Sequence, residues 1–141
     1  MINLDKELVS RVKGLKLTFK EVPQPELLIR LPNRNPDVNY VVEIVTSEFT
    51  SLCPLNSSQP DYATIVIVYK PDEWLVELKS LKFYLCSFRM VPVFHEDVPA
   101  TILSALVDLL TPKGIVISGR FTTRGGLDTV VVARWVGGTA L

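Results

Sequence analysis

Hydrophobic spacing along the chain switches between two periods. Tyr40 to Thr46 (YVVEIVT) and Ala63 to Tyr69 (ATIVIVY) are rich in β-branched residues, which predicts two strands. The second is apolar enough to be covered on both faces or to lie at an interface. The polar, Pro-containing stretch from Ser47 to Asp61 predicts a loop between them. Lys70 to Glu73 reads as a turn and Trp74 to Val76 as a short extended piece. The period then becomes helical. Leu78, Leu81, Leu85 and Phe88 fall on one face and predict a helix from Leu78 to Arg89. A second helix is expected from His95 or Asp97 to Leu110, with Val98, Ile102, Ala105, Leu106 and Leu109 as its apolar stripe. Pro99 falls in its first turn, where it is tolerated, and Lys113-Gly114 is expected to end it. Gly114 to Phe121 and Asp128 to Val136 predict two more strands, joined by a short Gly-containing hairpin link.

Residues 1–30 read as peripheral. Leu8 to Phe19 suits a short helix running into a strand, and Pro23, Pro25, Pro32 and Pro36 prevent a long helix after it. Leu31 to Pro36 reads as a loop. With 141 residues and no internal repeat, one domain spanning 1–141 is expected. The class is α+β: four antiparallel strands with two helices on one face. Such a layout leaves the other sheet face and both edges uncovered, although the strands are apolar. A closed oligomer, with sheets joined into a β-barrel, solves both problems.

Composition narrows the function classes. Hydrophobic residues make up 48% of the chain, which supports a packed core. Fifteen basic and 15 acidic side chains cancel, so no global charge points to nucleic acid. No apolar run approaches the roughly 20 residues of a membrane span, and the charged N-terminus has no signal-peptide core. A cytoplasmic protein is expected. Two cysteines and one histidine supply poorly either a disulfide scaffold or a Cys/His zinc site, so no metal is expected.

Candidate chemistry begins at Cys53, in Glu48-Phe-Thr-Ser-Leu-Cys-Pro54. A loop cysteine among polar residues suits a nucleophile, which must be accessible, as well as it suits an ordinary half-buried thiol. Asp61, before a strand, reads alone as a turn or capping residue; beside Cys53 it becomes a proton donor. His95-Glu96 opens the second helix as a cap or as a recognition pair, a carboxylate being suited to the N–H groups of a purine-like edge. Lys79, Lys82, Cys86 and Arg89 share another helical quadrant, which is a solvated cationic face or a phosphate site. Arg124, with Gly125-Gly126, adds a second candidate phosphate contact. No GxGxxG is present, so a Rossmann cofactor site is not available.

Taken together these segments resemble a known family. Glu77-Leu-Lys-Ser-Leu-Lys-Phe-Tyr84 is similar to the signature of the QueF nitrile reductases. Phe49 to Pro54, Gln59 to Ile65, Ser87 to Arg89, Phe94 to Asp97 and Gly119 to Gly126 resemble further family blocks in the same order. The likeness covers Leu31 to Leu127. It implies NADPH-dependent reduction of 7-cyano-7-deazaguanine to its aminomethyl form, on the route to the tRNA base queuosine. It implies Cys53 as the nucleophile forming a thioimide, Asp61 as proton donor, and the sole histidine, His95, as a helper in proton transfer. Val76, Glu77, Leu78, His95 and Glu96 would line the deazaguanine pocket, and Lys79, Ser80 and Lys82 would belong to the NADPH signature. The fold implied is the tunnelling fold, and the homo-oligomer implied is a pair of stacked pentamers.

The sequence departs from the pattern in three places. The Cys53–Asp61 loop is one residue longer, Met90 to Val93 replaces a polar stretch, and the hairpin ends in Leu127-Asp128-Thr129. Two other readings stay open at this point. One is a QueF-like amidinotransferase that makes archaeosine on tRNA without NADPH. The other is a non-catalytic purine-binding or tRNA-binding module.

Overall fold

The computed structural model describes residues 5–137 and opens with an amphipathic helix, α1 (Lys6–Lys13). Asp5 caps it by accepting from the Glu7 amide at 3.0 Å, and Gly14 closes it. The strand expected after this helix does not form; residues 15–24 are irregular. The peripheral stretch also ends before residue 30, because Gln24 and Leu27 to Ile29 are buried. Two buried serine hydroxyls hold them: Ser87 Oγ accepts from the Gln24 amide and Ser80 Oγ from the Ile29 amide.

A short strand follows where a loop was expected. β1 (Arg30–Pro32) is extended because, past β2 (Val42–Leu52) and β3 (Pro60–Lys70), β4 (Trp74–Val76) pairs antiparallel with it. β2 and β3 join β5 (Gly114–Arg124) and β6 (Leu127–Val136) in a four-stranded antiparallel sheet of order β2-β3-β5-β6. The expected strand at Tyr40 starts two residues later and runs past Thr46 to Leu52, with a bulge between Thr46 and Phe49. The bulge turns Phe49 and Ser51 inward. The strand end is clamped from outside: Leu52 donates to the Val91 carbonyl and accepts from Val93. The expected 47–61 loop is therefore only 53–59, and Asp61 lies inside β3, paired with Ser51.

Helices α2 (Leu78–Cys86) and α3 (Asp97–Leu110) cover one face of this sheet. Ile65, Ile67 and Tyr69 of β3 and Ile115, Ile117 and Phe121 of β5 meet Leu81, Tyr84, Leu85 and Phe88 from the first helical segment and Val98, Ile102, Leu106 and Leu110 from the second. Two expected apolar faces shift in phase. Leu78 is 62% exposed and Tyr84 takes the inward place; in α3, Ala105 and Leu109 are only half-buried and Leu110 is buried. Arg89 is not on α2, which ends at Cys86 and tightens into a 3-10 turn, Ser87–Met90. α3 ends at Leu110 rather than at Lys113-Gly114. Pro112 disfavours helical backbone at Thr111, which turns left-handed at φ 41°. Gly119 lets this helix approach the sheet, since a Cβ there would sit 3.1–3.3 Å from Phe121, Ile65 and Pro99.

The hairpin between β5 and β6 is tighter than the 122–127 link expected. Arg124 pairs with Leu127, and Gly125 and Gly126, both at positive φ, form the two-residue turn. The opposite sheet face leaves Val45, Tyr62, Val116, Val130 and Val132 exposed, and β2 and β6 are open edges within the chain. Thus four antiparallel strands and two helices on one face are as expected, while one chain does not close a barrel. No helix among the described residues is long and apolar enough to cross a membrane.

Candidate active site

Cys53, Pro54, Gln59, Asp61, Val93, Phe94, His95, Glu96 and Arg124 line one cavity of about 260 Å³. Four segments converge to make it. β2 delivers Cys53 just past its last residue, where the Cys53 amide donates to the Gln59 carbonyl at 3.0 Å and closes the 53–59 loop. β3 delivers Asp61 as the first inward residue of a row that continues through Ala63, Ile65 and Ile67. The clamp of Val91 and Val93 on Leu52 lays the segment before α3 alongside, and this brings in His95 and Glu96. The hairpin end of β5 supplies Arg124.

Asp61 is the hub. Only 3% exposed, it has His95 Nε2 3.2 Å from Oδ2 and the Arg124 guanidinium against Oδ1. The directed hydrogen bond of Arg124 Nη2 goes instead to the Pro60 carbonyl at 2.7 Å, so Oδ1 receives an ion-pair contact but no directed hydrogen bond. A buried carboxylate needs such partners, because burying an unpaired charge is costly. His95 is fixed a second time: its ring lies on Phe121 with centroids 3.9 Å apart and planes 7° apart. The cavity thus sets a free thiol beside a carboxylate–imidazole pair, with the Glu96 carboxylate on its wall. That combination can support nucleophilic addition with proton transfer.

The remaining candidates lie elsewhere in the chain. Val76 is buried at the end of β4. Glu77 caps α2, accepting from the Lys79 and Ser80 amides at 2.9 and 2.7 Å. Leu78 is exposed and borders a second cavity, of about 250 Å³, with Ile44, Phe49, Lys82 and Cys86. Ser80 is fully buried, its hydroxyl donating to the Glu77 carbonyl. Lys79 Nζ donates to the Val12 carbonyl at 3.0 Å, and Arg89 lies 4.9 Å over the Phe19 ring, so the N-terminal segment runs over part of the cationic face. Sequence reasoning did not find Phe121 as the platform for His95 or Ser51 opposite Asp61. Both depend on sheet register, which spacing alone does not show.

A family model described as QueF-like protein matches residues 60–137, which contain Asp61, His95, Glu96 and Arg124. The chain belongs to the QueF family. A protein of Thermomicrobium roseum named NADPH-dependent 7-cyano-7-deazaguanine reductase is 52% identical over 108 residues, covering 77% of this chain and 84% of that one. A protein of the same name from Chlorobium phaeobacteroides is 46% identical over 115 residues, covering 82% of this chain and 97% of that one. One from Neisseria gonorrhoeae is 52% identical over 119 residues, covering 84% and 75%. Among solved structures, the apo form of the archaeosine synthase QueF-Like superposes with a TM-score of 0.63 at 22% identity, covering 71% of this chain and 96% of that one. That likeness bears on the fold alone.

Proposed function

We propose that this QueF-family chain is an NADPH-dependent 7-cyano-7-deazaguanine reductase, and that Cys53, Asp61, His95 and Glu96 are its working residues. The observation that carries the reading is the meeting of these four side chains around one cavity. The names of relatives 46–52% identical to it supply the substrate and the cofactor.

In this reading the Cys53 thiol adds across the nitrile. A bond forms from Sγ to carbon, one C–N π bond breaks, and the proton goes to nitrogen, giving a thioimide. NADPH, when bound, supplies hydride. Asp61 delivers the proton that accompanies hydride at carbon, yielding a tetrahedral aminothioether. The C–S bond then breaks, and the Cys53 thiol and an imine are released. A second hydride and a second proton give the amine, with His95 passing protons to Asp61 across their 3.2 Å contact. Glu96, on the same wall, accepts from the N–H groups of the base.

For the cofactor, the donor set fits phosphate in kind. The ammonium groups of Lys79 and Lys82 and the guanidinium of Arg89 lie together on and just after α2. Ser80 supports this region from beneath, since its hydroxyl is spent inside the chain. Arg124 is proposed to act at Asp61, because its contacts are with Asp61 and the Pro60 carbonyl. Val76, Glu77 and Leu78 lie outside the Cys53 cavity of their own chain. We place them in the base pocket through a neighbouring copy. Open β2 and β6 edges and the exposed apolar sheet face support such an oligomer, closed into a barrel of the tunnelling fold.

The test is NADPH oxidation by the purified protein with and without the nitrile. Oxidation only with nitrile present, at about two cofactors per nitrile, is the expected result. A covalent nitrile adduct without oxidation would turn the reading towards amidino transfer. Neither adduct nor oxidation would overturn it.

A further inference from the structure

We propose that Ser51 is a positioning residue for Asp61, its hydroxyl holding the carboxyl group through the change in proton occupancy that the reaction requires. The proposal deepens the reductase reading and rests on it.

Among the described residues three serines are fully buried: Ser51, Ser80 and Ser87. Two are anchored. Ser80 Oγ accepts from Ile29 and donates to Glu77, and Ser87 Oγ accepts from Gln24 and donates to the Tyr84 carbonyl at 2.6 Å. Ser51 differs. Its Oγ is buried and has no hydrogen-bond partner. Buried hydroxyls are nearly always partnered, so this one calls for a physical account.

The neighbourhood supplies one. Ser51 pairs with Asp61 across β2 and β3. Both side chains point inward, while Thr50 and Leu52 on either side of Ser51 are only half-buried. Directly opposed residues of antiparallel strands hold their Cβ atoms about 5 Å apart, a gap that a hydroxyl and a carboxyl group bridge by side-chain rotation. Asp61 offers the matching vacancy. Oδ2 faces His95, and Oδ1 is, among the described residues, the other buried side-chain atom without a directed hydrogen bond. A buried hydroxyl without a partner and a carboxylate oxygen held only by the Arg124 ion pair therefore stand on paired residues, and Ser51 is two positions from Cys53.

The chemistry of the hydroxyl suits the task. A guanidinium can only donate and favours the charged carboxylate. A serine hydroxyl donates to a carboxylate and can turn to accept from a carboxylic acid, so it serves both forms. Arg124 approaches the same oxygen from the solvent side with a side chain 37% exposed. Its directed hydrogen bond goes to the Pro60 carbonyl, whereas Ser51 is enclosed. Arg124 supplies charge at Oδ1, and the Ser51 hydroxyl keeps the carboxyl plane aimed at the cavity.

The experiment compares wild type, Ser51→Ala and Ser51→Thr as full chains. The readouts are melting temperature, steady-state NADPH oxidation with the nitrile, its pH profile, and adduct mass. Expected for Ser51→Ala is a melting temperature near wild type, since Asp61 keeps its contacts with His95 and Arg124. KM for the nitrile should stay within about twofold while kcat falls about 10- to 100-fold and the pH profile changes shape. Ser51→Thr, which keeps the hydroxyl, should restore most of kcat. A Ser51→Ala protein with kcat within about twofold of wild type and an unchanged pH profile would overturn the proposal. If Ser51→Ala fails to fold, Ser51→Cys, similar in shape but a weak donor, carries the same readouts with the same criteria. A wild-type protein that oxidises no NADPH sinks the reductase reading and this proposal with it. An active wild type beside an equally active Ser51→Ala sinks this proposal alone.

Discussion

His95 Nε2 stands 3.2 Å from Asp61 Oδ2, and the orientation is set by a third residue, because the imidazole lies flat on Phe121. A ring stacked at 3.9 Å can slide or spin little, so its nitrogen stays aimed at the carboxylate. Two substitutions separate the chemical from the structural part of this contact. His95→Gln keeps a donor within reach of Oδ2 but loses the titrating nitrogen. It should lower kcat about 100-fold with a melting temperature near wild type. His95→Phe keeps the stack but leaves Oδ2 unpaired, so it should also lose about 1–3 kcal/mol in urea unfolding. Equal stability of the two variants would show that Oδ2 does not depend on His95.

Arg124 presents a choice between two anions, the Asp61 carboxylate and a cofactor phosphate. The structure has it on Asp61, with Nη2 donating to the Pro60 carbonyl. Arg124→Met should therefore lower kcat for the nitrile about tenfold or more and leave KM for NADPH within about threefold. The measurement is a pair of saturation curves, one for each substrate. A rise in the NADPH KM that outweighs the fall in kcat would return Arg124 to the cofactor.

Cys53, Asp61, His95 and Glu96 were legible in the sequence as residues, but their meeting was not. Local pattern found the four long strands and the helices at Leu78 and Asp97, since periods of 2 and 3.6 act within a few residues. It placed Asp61 before its strand, because Ser47 to Pro60 is polar and has no alternation strong enough to mark strand ends. Tertiary contacts decided those ends: the clamp of Leu52 by Val91 and Val93 carries β2 six residues past Thr46. Leu78 illustrates the same limit. It has helical spacing with Leu81 and Leu85, yet stands at the first turn, beside a cavity that separates it from Ile44 and Phe49 of β2, and is exposed. The Phe121 platform and the Ser51–Asp61 pairing are register facts, and one sequence does not carry them.

Tyr84 gives a stability prediction independent of function. Burial pushes its phenol well above the ordinary value of about 10. A group whose folded-state pKa is raised contributes stability that is fully present below its unfolded pKa. That stability is lost as pH rises towards the folded pKa, because the unfolded chain ionises first. Urea midpoints should therefore be flat with respect to this residue up to about pH 10 and fall above it. Tyr69, also raised by burial, adds in the same direction. Tyr84→Phe should weaken the alkaline fall and cost little at pH 7, since the hydroxyl's contact with the Thr101 carbonyl is a long 3.5 Å. An unchanged alkaline slope in Tyr84→Phe would show that the phenol is not the group responsible.

The N-terminal segment and the cofactor should compete for the same cations. Lys79 reaches the Val12 carbonyl and Arg89 lies over Phe19, yet both belong to the face proposed to hold NADPH phosphate. Each contact is weak. An exposed cation–π pair is worth about 0.5–1 kcal/mol, and an exposed ammonium–carbonyl bond is no stronger. A phosphate, with its full charge, outbids them, but pays that amount first. Phe19→Ala should free Arg89 and lower KM for NADPH by about two- to fivefold, as the cation–π energy converts. It should leave KM for the nitrile unchanged, since Phe19 borders no part of the Cys53 cavity. The segment itself should become easier to cleave by protease, and added NADPH should increase cleavage of the wild type. An NADPH KM that does not respond to Phe19→Ala would mean that Arg89 serves the fold of the N-terminal segment and not the cofactor.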